Sequence, residues 1–185
     1  MVGLGNPGER YRRTRHNAGF MAVDVLAARA GAAGRVAGDV WVAEAAFGDV
    51  AALLVKPLTF MNASGGPVAR LLAERSGSPP DLVVLVDDAA LDLGTIRVRE
   101  RGSHGGHNGL RSLVETLGTE EYARVRIGIR RGEQPPDLAE YVLGDFLPDE
   151  VLAVQEAVGL AAEAVLCLLE EGVAPAMNRF NARRA

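Results

Sequence analysis

Short valine-rich runs alternate with helix-like segments along this chain, and that alternation limits the folds open to it. Strand-type runs occupy 40–47, 50–55, 82–86, 95–98 and 125–129, bounded by Gly, Pro or Asp. Helical patterns stand between them at 18–30, 64–75 and 110–117. The clearest helix opens at Asp149, just after Pro148. It sets Val151, Val154, Val158, Ala161, Val165 and Leu168 on one stripe before Gly172 stops it. The pattern predicts an α/β fold: a single-domain three-layer sandwich over residues 1–185, with a mixed, largely parallel twisted sheet flanked by helices. In such sheets the loops at the strand carboxyl ends build the site.

Most of the asparagines and histidines collect in four islands: Gly3-Leu4-Gly5-Asn6-Pro7-Gly8, Thr14-Arg15-His16-Asn17-Ala18-Gly19, Thr59-Phe60-Met61-Asn62-Ala63-Ser64-Gly65 and Gly105-Gly106-His107-Asn108-Gly109. Binding and catalysis concentrate in loops on rigid scaffolds. The first island matches the dinucleotide pattern G-x-G-x-x-G only formally. Met1 and Val2 alone precede it, Pro7 sits inside it, and no apolar stripe follows, so a dinucleotide-binding oxidoreductase is set aside. The island reads as a tight strand-end turn that fixes the Asn6 amide. His16 reads either as a helix-start residue without chemistry or as a general base. His104 and His107 form only His-x-x-His, and no Cys pair exists, so no metal and no cofactor are expected.

Asp87 and Asp88 end the run 82–86, where Asp87 is placed to orient an imidazole. Ser64 and Ser103 lack a Gly-x-Ser-x-Gly elbow, and Cys167 lies in an apolar helical run as a small core residue. What remains is one histidine, one aspartate and several turn-bound amides. That set suits activation of water against an already reactive carbonyl.

A formal net charge of −4 argues mildly against a nucleic-acid partner. The distribution says more. Lys56 is the only lysine, and arginines cluster at Arg10, Arg12, Arg13 and Arg15, at Arg97, Arg99 and Arg101, and at Arg124, Arg126, Arg130 and Arg131. Guanidinium forks suit phosphate, while solvated charge on an arginine-rich composition is an equal alternative. No apolar run approaches the roughly 20 residues of a membrane span, and no signal peptide is visible. A lone cysteine fits a reducing compartment. The expectation is a cytoplasmic protein without a membrane partner.

The islands, in this order and spacing, resemble the bacterial peptidyl-tRNA hydrolase family. The resemblance also takes in Tyr11, Lys56-Pro57-Leu58, Leu110, Arg124-Val125-Arg126-Ile127-Gly128-Ile129 and Ala176-Met177-Asn178-Arg179-Phe180-Asn181, and so covers essentially the whole chain. It implies a hydrolase that cuts the ester between peptide and tRNA in prematurely released peptidyl-tRNA, working as a monomer on the acceptor stem and 3′ end. By the same resemblance His16 is the general base and Asp87 holds it. Asn6, Asn62 and Asn108 bind substrate and position the water, while Tyr11, Phe60 and Met61 line the cleft. His107 supports the cleft, and Arg99 and Arg126 face tRNA phosphates. The chain departs from its relatives in 133–137, where Gln and Pro replace lysines, which shifts the expected phosphate contacts to Arg130 and Arg131. A non-catalytic RNA-binding protein of the same fold is the alternative.

Overall fold

The computed structural model describes residues 1–182. One seven-stranded sheet organises them, in the order β2-β3-β4-β1-β5-β7-β6. The strands are β1 (Val2–Gly3), β2 (Arg35–Ala37), β3 (Val40–Phe47), β4 (Val50–Pro57), β5 (Val83–Asp92), β6 (Ile96–Arg99) and β7 (Ala123–Arg130). The four central strands, β4-β1-β5-β7, run parallel, while β2, β3 and β6 add antiparallel edges. The helices are α1 (Ala18–Arg29), α2 (Gly65–Glu74), α3 (Asn108–Leu117), α4 (Leu138–Leu143), α5 (Val151–Glu171) and α6 (Val173–Phe180).

Side-chain alternation along β5 separates two cores. Val83 and Leu85 face α1, α5 and α6, while Val84 and Val86 join Val2, Leu4, Val68, Leu110 and Leu113 under α2 and α3. These are the three layers that the alternating pattern predicts. Although short, β1 is central. Val2 registers with Val55 on one side and Val84 on the other, and the Leu4 N–H extends the ladder to Leu85 O. With β4 on one side of β1 and β5 on the other, the strand order reverses at β1 while the strands stay parallel. In open α/β sheets ligands bind beyond the carboxyl ends at such a point.

Two sequence expectations need correction. β5 does not end at Val86. It runs on through Asp87 and Asp88, which register with Ile127 and Gly128, and its pairing becomes irregular before Asp92. Carboxylates disfavour strand interiors, but here Asp88 and Asp92 pair with Arg126 and Arg130 on the neighbouring strand. The second correction concerns α5. At 21 residues and mean hydropathy 1.8 it is long and apolar enough to cross a membrane. Its Val154, Ala157, Val158, Ala161 and Val165 are nevertheless buried against the sheet, as in a core helix.

Candidate active site

His16 sits in a single 3-10 turn, Arg15–Asn17, that runs straight into α1. Two glycines bring this turn close to the sheet. A Cβ on Gly19 would fall inside 3.0 Å of backbone atoms of Leu85 and Leu4, and one on Gly3 would strike the carbonyl of Gly19. The first turn of α1 therefore lies directly on β1 and β5. Asn17 fastens the junction. Its Oδ1 accepts the Asn6 N–H at 2.8 Å and its Nδ2 donates to Asn6 O at 3.0 Å. Sequence reasoning misses Asn17, and its place in the second island is the one signal for it.

The His16 Nδ1 lies 2.9 and 3.0 Å from the two carboxylate oxygens of Asp87. His107 reaches the same carboxylate, with Nε2 3.0 Å from Oδ1. The glycines ahead of it (Gly105, φ 56°; Gly106, φ 84°) take the left-handed backbone that turns the chain into α3. His107 is the N-cap of α3, its Nδ1 accepting the N–H groups of Gly109 and Leu110 at 3.1 and 3.3 Å. These bonds assign the tautomers. The His107 proton must be on Nε2, pointing at Asp87. Asp87 only accepts, so His16 donates from Nδ1 and keeps its lone pair on Nε2. That atom has no hydrogen-bond partner among the described residues and is not sealed from solvent.

Asp87 is 4% exposed. Burial, the largest single influence, pushes its carboxyl up, but the His107 and His16 imidazoles outweigh it and hold the group well below the usual carboxylate range. His16, Asp87 and His107 offer ligand atoms within 4.8 Å of one another. A metal on His107 Nε2 would require that ring as an anion, because Nδ1 already accepts two backbone N–H groups. The cluster is built for hydrogen bonding.

Asn6 links the first island to the third. Asn6 Oδ1 accepts the Met61 N–H at 2.9 Å, leaving Nδ2 as the group free to donate. Met61 is 4% exposed, with Sδ filling the space that a Cβ on Gly109 would need. Asn62, Asn108 and Phe60 are exposed, and Tyr11 is half-buried with its hydroxyl accepting from Arg10. His104 is apart from the triad and folds back on the Gly106 N–H.

The arginine clusters divide. Arg124 is buried, donates to Ser103 O and Glu120 O, and is pushed down by that burial. Arg126 pairs with Asp88 at 2.8 Å, Arg130 with Asp92 and Arg131 with Asp149. Each of Arg126, Arg130 and Arg131 thus already holds a carboxylate, which a phosphate would meet first. Arg97 and Arg99, side by side with Arg126 and Arg124 across β6 and β7, have no ion pair among the described residues. A cavity of about 960 Å³ between the β5–β6 turn, α5 and α6 is lined by none of the triad.

A mixed sheet with carboxylate-linked imidazoles at its switch point has the architecture of an α/β enzyme. Residues 1–185 match the family model described as Peptidyl-tRNA hydrolase. The chain is 47% identical over 183 residues to a peptidyl-tRNA hydrolase of Chloroflexus aurantiacus, covering 98% of this chain and 97% of that one. It is 46% identical over 188 residues to that of Symbiobacterium thermophilum, with the same coverage. Among solved structures, a peptidyl-tRNA hydrolase in complex with N-propanol superposes with a TM-score of 0.92 at 33% identity, over 100% of this chain and 95% of that one. The chain belongs to the peptidyl-tRNA hydrolase family.

Proposed function

We propose that this chain hydrolyses the ester joining an N-acylated amino acid or peptide to tRNA, with His16 as the general base. The observation that carries the reading is the 2.9 Å contact between His16 Nδ1 and Asp87 Oδ1, which leaves the Nε2 lone pair unpartnered among the described residues and open to solvent. Water donates a proton to Nε2 as its oxygen attacks the ester carbonyl. The Asp87 carboxylate stabilises the imidazolium that forms. As the tetrahedral adduct collapses, the ribose oxygen leaves and takes the proton back from Nε2. The products are a free carboxylic acid and a tRNA with its terminal hydroxyl restored. General-base catalysis of this kind contributes about 10²–10⁴-fold.

The free Nδ2 of Asn6 and the exposed amides of Asn62 and Asn108 supply donors for the substrate carbonyls and the developing oxyanion. An acylated amino group satisfies amide partners that a free ammonium would leave unpaired, which favours peptidyl-tRNA over aminoacyl-tRNA. Arg97 and Arg99 supply the cations for acceptor-stem phosphates. The reading includes a monomer acting where tRNA is recycled, in the cytoplasm.

The test is release of tRNA from N-acetyl-aminoacyl-tRNA by the wild type and by His16→Ala, with tRNA binding measured alongside. We expect turnover by the wild type only and binding by both. A wild type that retains tRNA without hydrolysing the ester is a binding protein, and a His16→Ala variant near wild-type rate removes the base.

A further inference from the structure

The turn that carries His16 is held from two sides, and Asp87 is only one of them. Arg15, the preceding residue, points away from the sheet into the segment between α4 and α5. Its Nη2 lies 2.6 Å from Glu150 Oε2, and its Nη1 donates to Asp145 O at 2.7 Å and Gly144 O at 3.3 Å. The guanidinium lies over the rings of Tyr141 and Phe146, at 4.4 and 5.4 Å. Both charges are buried, with side chains 8% and 2% exposed. The backbone joins the same contact. Arg15 N–H donates to Gly144 O, Phe146 N–H donates to Arg13 O, and Thr14 bridges Asp145 in antiparallel fashion. Glu150 is fixed in turn as the residue that opens α5, where its Oε2 also accepts the Leu147 N–H.

We propose that the Arg15–Glu150 pair is a positioning device for His16. It sets the His16 backbone from the α4–α5 side while Asp87 sets the ring from the sheet side. The inference rests on the reading of His16 as general base. A buried ion pair is a weak source of stability, and apolar residues of similar volume often replace one without loss. A guanidinium offers something an apolar pair cannot: directional bonds to a carboxylate and two carbonyls at once. The 3-10 turn has no side-chain cap of its own, so those bonds fix where it lies. His16 Nε2 must meet water and ester within a fraction of an ångström, and a displaced turn loses rate before it loses substrate binding.

The experiment is steady-state hydrolysis of N-acetyl-aminoacyl-tRNA by the full chain and by the double variant Arg15→Met with Glu150→Leu, with thermal unfolding recorded for each. We expect a folded variant with KM within about twofold of wild type and kcat lowered about ten- to a hundredfold. A double variant that folds and keeps its kcat overturns the proposal, because the pair is then only structural. Should the double variant not fold, Arg15→Lys decides. It keeps the charge and loses the fork, so kcat falls at constant KM if positioning is the role and stays level if it is not. An inactive wild type would instead remove the hydrolase reading, and the first measurement separates the two failures.

Discussion

The Nε2 of His107 lies 3.0 Å from Asp87 Oδ1, while the other nitrogen of the same ring caps α3. One imidazole thus ties a helix start to the carboxylate that holds His16. Its ring centroid is 4.8 Å from that of His16, yet it cannot share the base role, because both its nitrogens are engaged. His107→Asn keeps a good N-cap and loses the link to Asp87, so kcat should fall while the unfolding midpoint holds. His107→Ala loses both and should also destabilise the fold by about 0.5–2 kcal/mol. Equal stability losses in the two variants would show that the cap is not made by the ring.

Asp87→Asn should lower kcat steeply while leaving KM near wild type. An amide in this position can donate to His16 Nδ1 and so favours the tautomer with its lone pair on the wrong nitrogen. In a comparable triad the same change costs about 10⁴-fold. Comparable activity in Asp87→Asn would mean that His16 needs no carboxylate.

The same carboxylate sets a pH dependence of stability. Its folded-state pKa lies below the unfolded value, the two imidazoles outweighing burial. Protons therefore bind the unfolded chain first, so stability is full above the ordinary carboxylate range and is lost as the pH falls. Unfolding free energies of wild type and Asp87→Asn should keep a constant difference above roughly pH 5 and converge below roughly pH 4. A difference that stays flat into strong acid would place the carboxyl elsewhere.

Much of this site is legible in the sequence because its amides and imidazoles concentrate in turns and helix starts, while Asp87 follows an apolar strand run. His16 and His107 meet on the Asp87 carboxylate, and Asn6 is tied to the His16 turn through Asn17. What stays hidden is pairing over long sequence distance. Nothing local marks Arg15 as the partner of Glu150, 135 positions on, or Arg126 as the partner of Asp88. Both look like surface cations in a basic cluster. Nor does anything local mark the burial of Met61, which stands between two exposed neighbours. The short helix α4 and the edge strand β2 escape notice because neither has a buried face long enough to show a period.

Gly19 carries the close approach of α1 to β1 and β5, so Gly19→Ala should be costly in two ways. The added methyl meets backbone rather than a flexible side chain, so the helix must move. Overpacking of this kind costs about 1–3 kcal/mol, and the displacement carries His16 away from Asp87. We expect a lower unfolding midpoint together with a fall in kcat. Gly66, whose Cβ would meet nothing, is the control, and equal losses at Gly19 and Gly66 would remove the packing argument.

Arg97 and Arg99 differ from Arg130 and Arg131 in what already holds them, and tRNA affinity should follow that difference. The first two stand on the edge strand without ion pairs among the described residues, next to Arg126 across the ladder. The second two are committed to Asp92 and Asp149. A phosphate would have to displace those carboxylates, cancelling much of what the contact supplies. Arg97→Glu with Arg99→Glu should weaken tRNA binding strongly at low salt and flatten the plot of log affinity against log salt by about one to two units. Arg130→Ala with Arg131→Ala should leave both nearly unchanged. Binding that falls equally in the two double variants, or a salt slope that does not move with Arg97 and Arg99, would put the phosphate contacts on another face of the molecule.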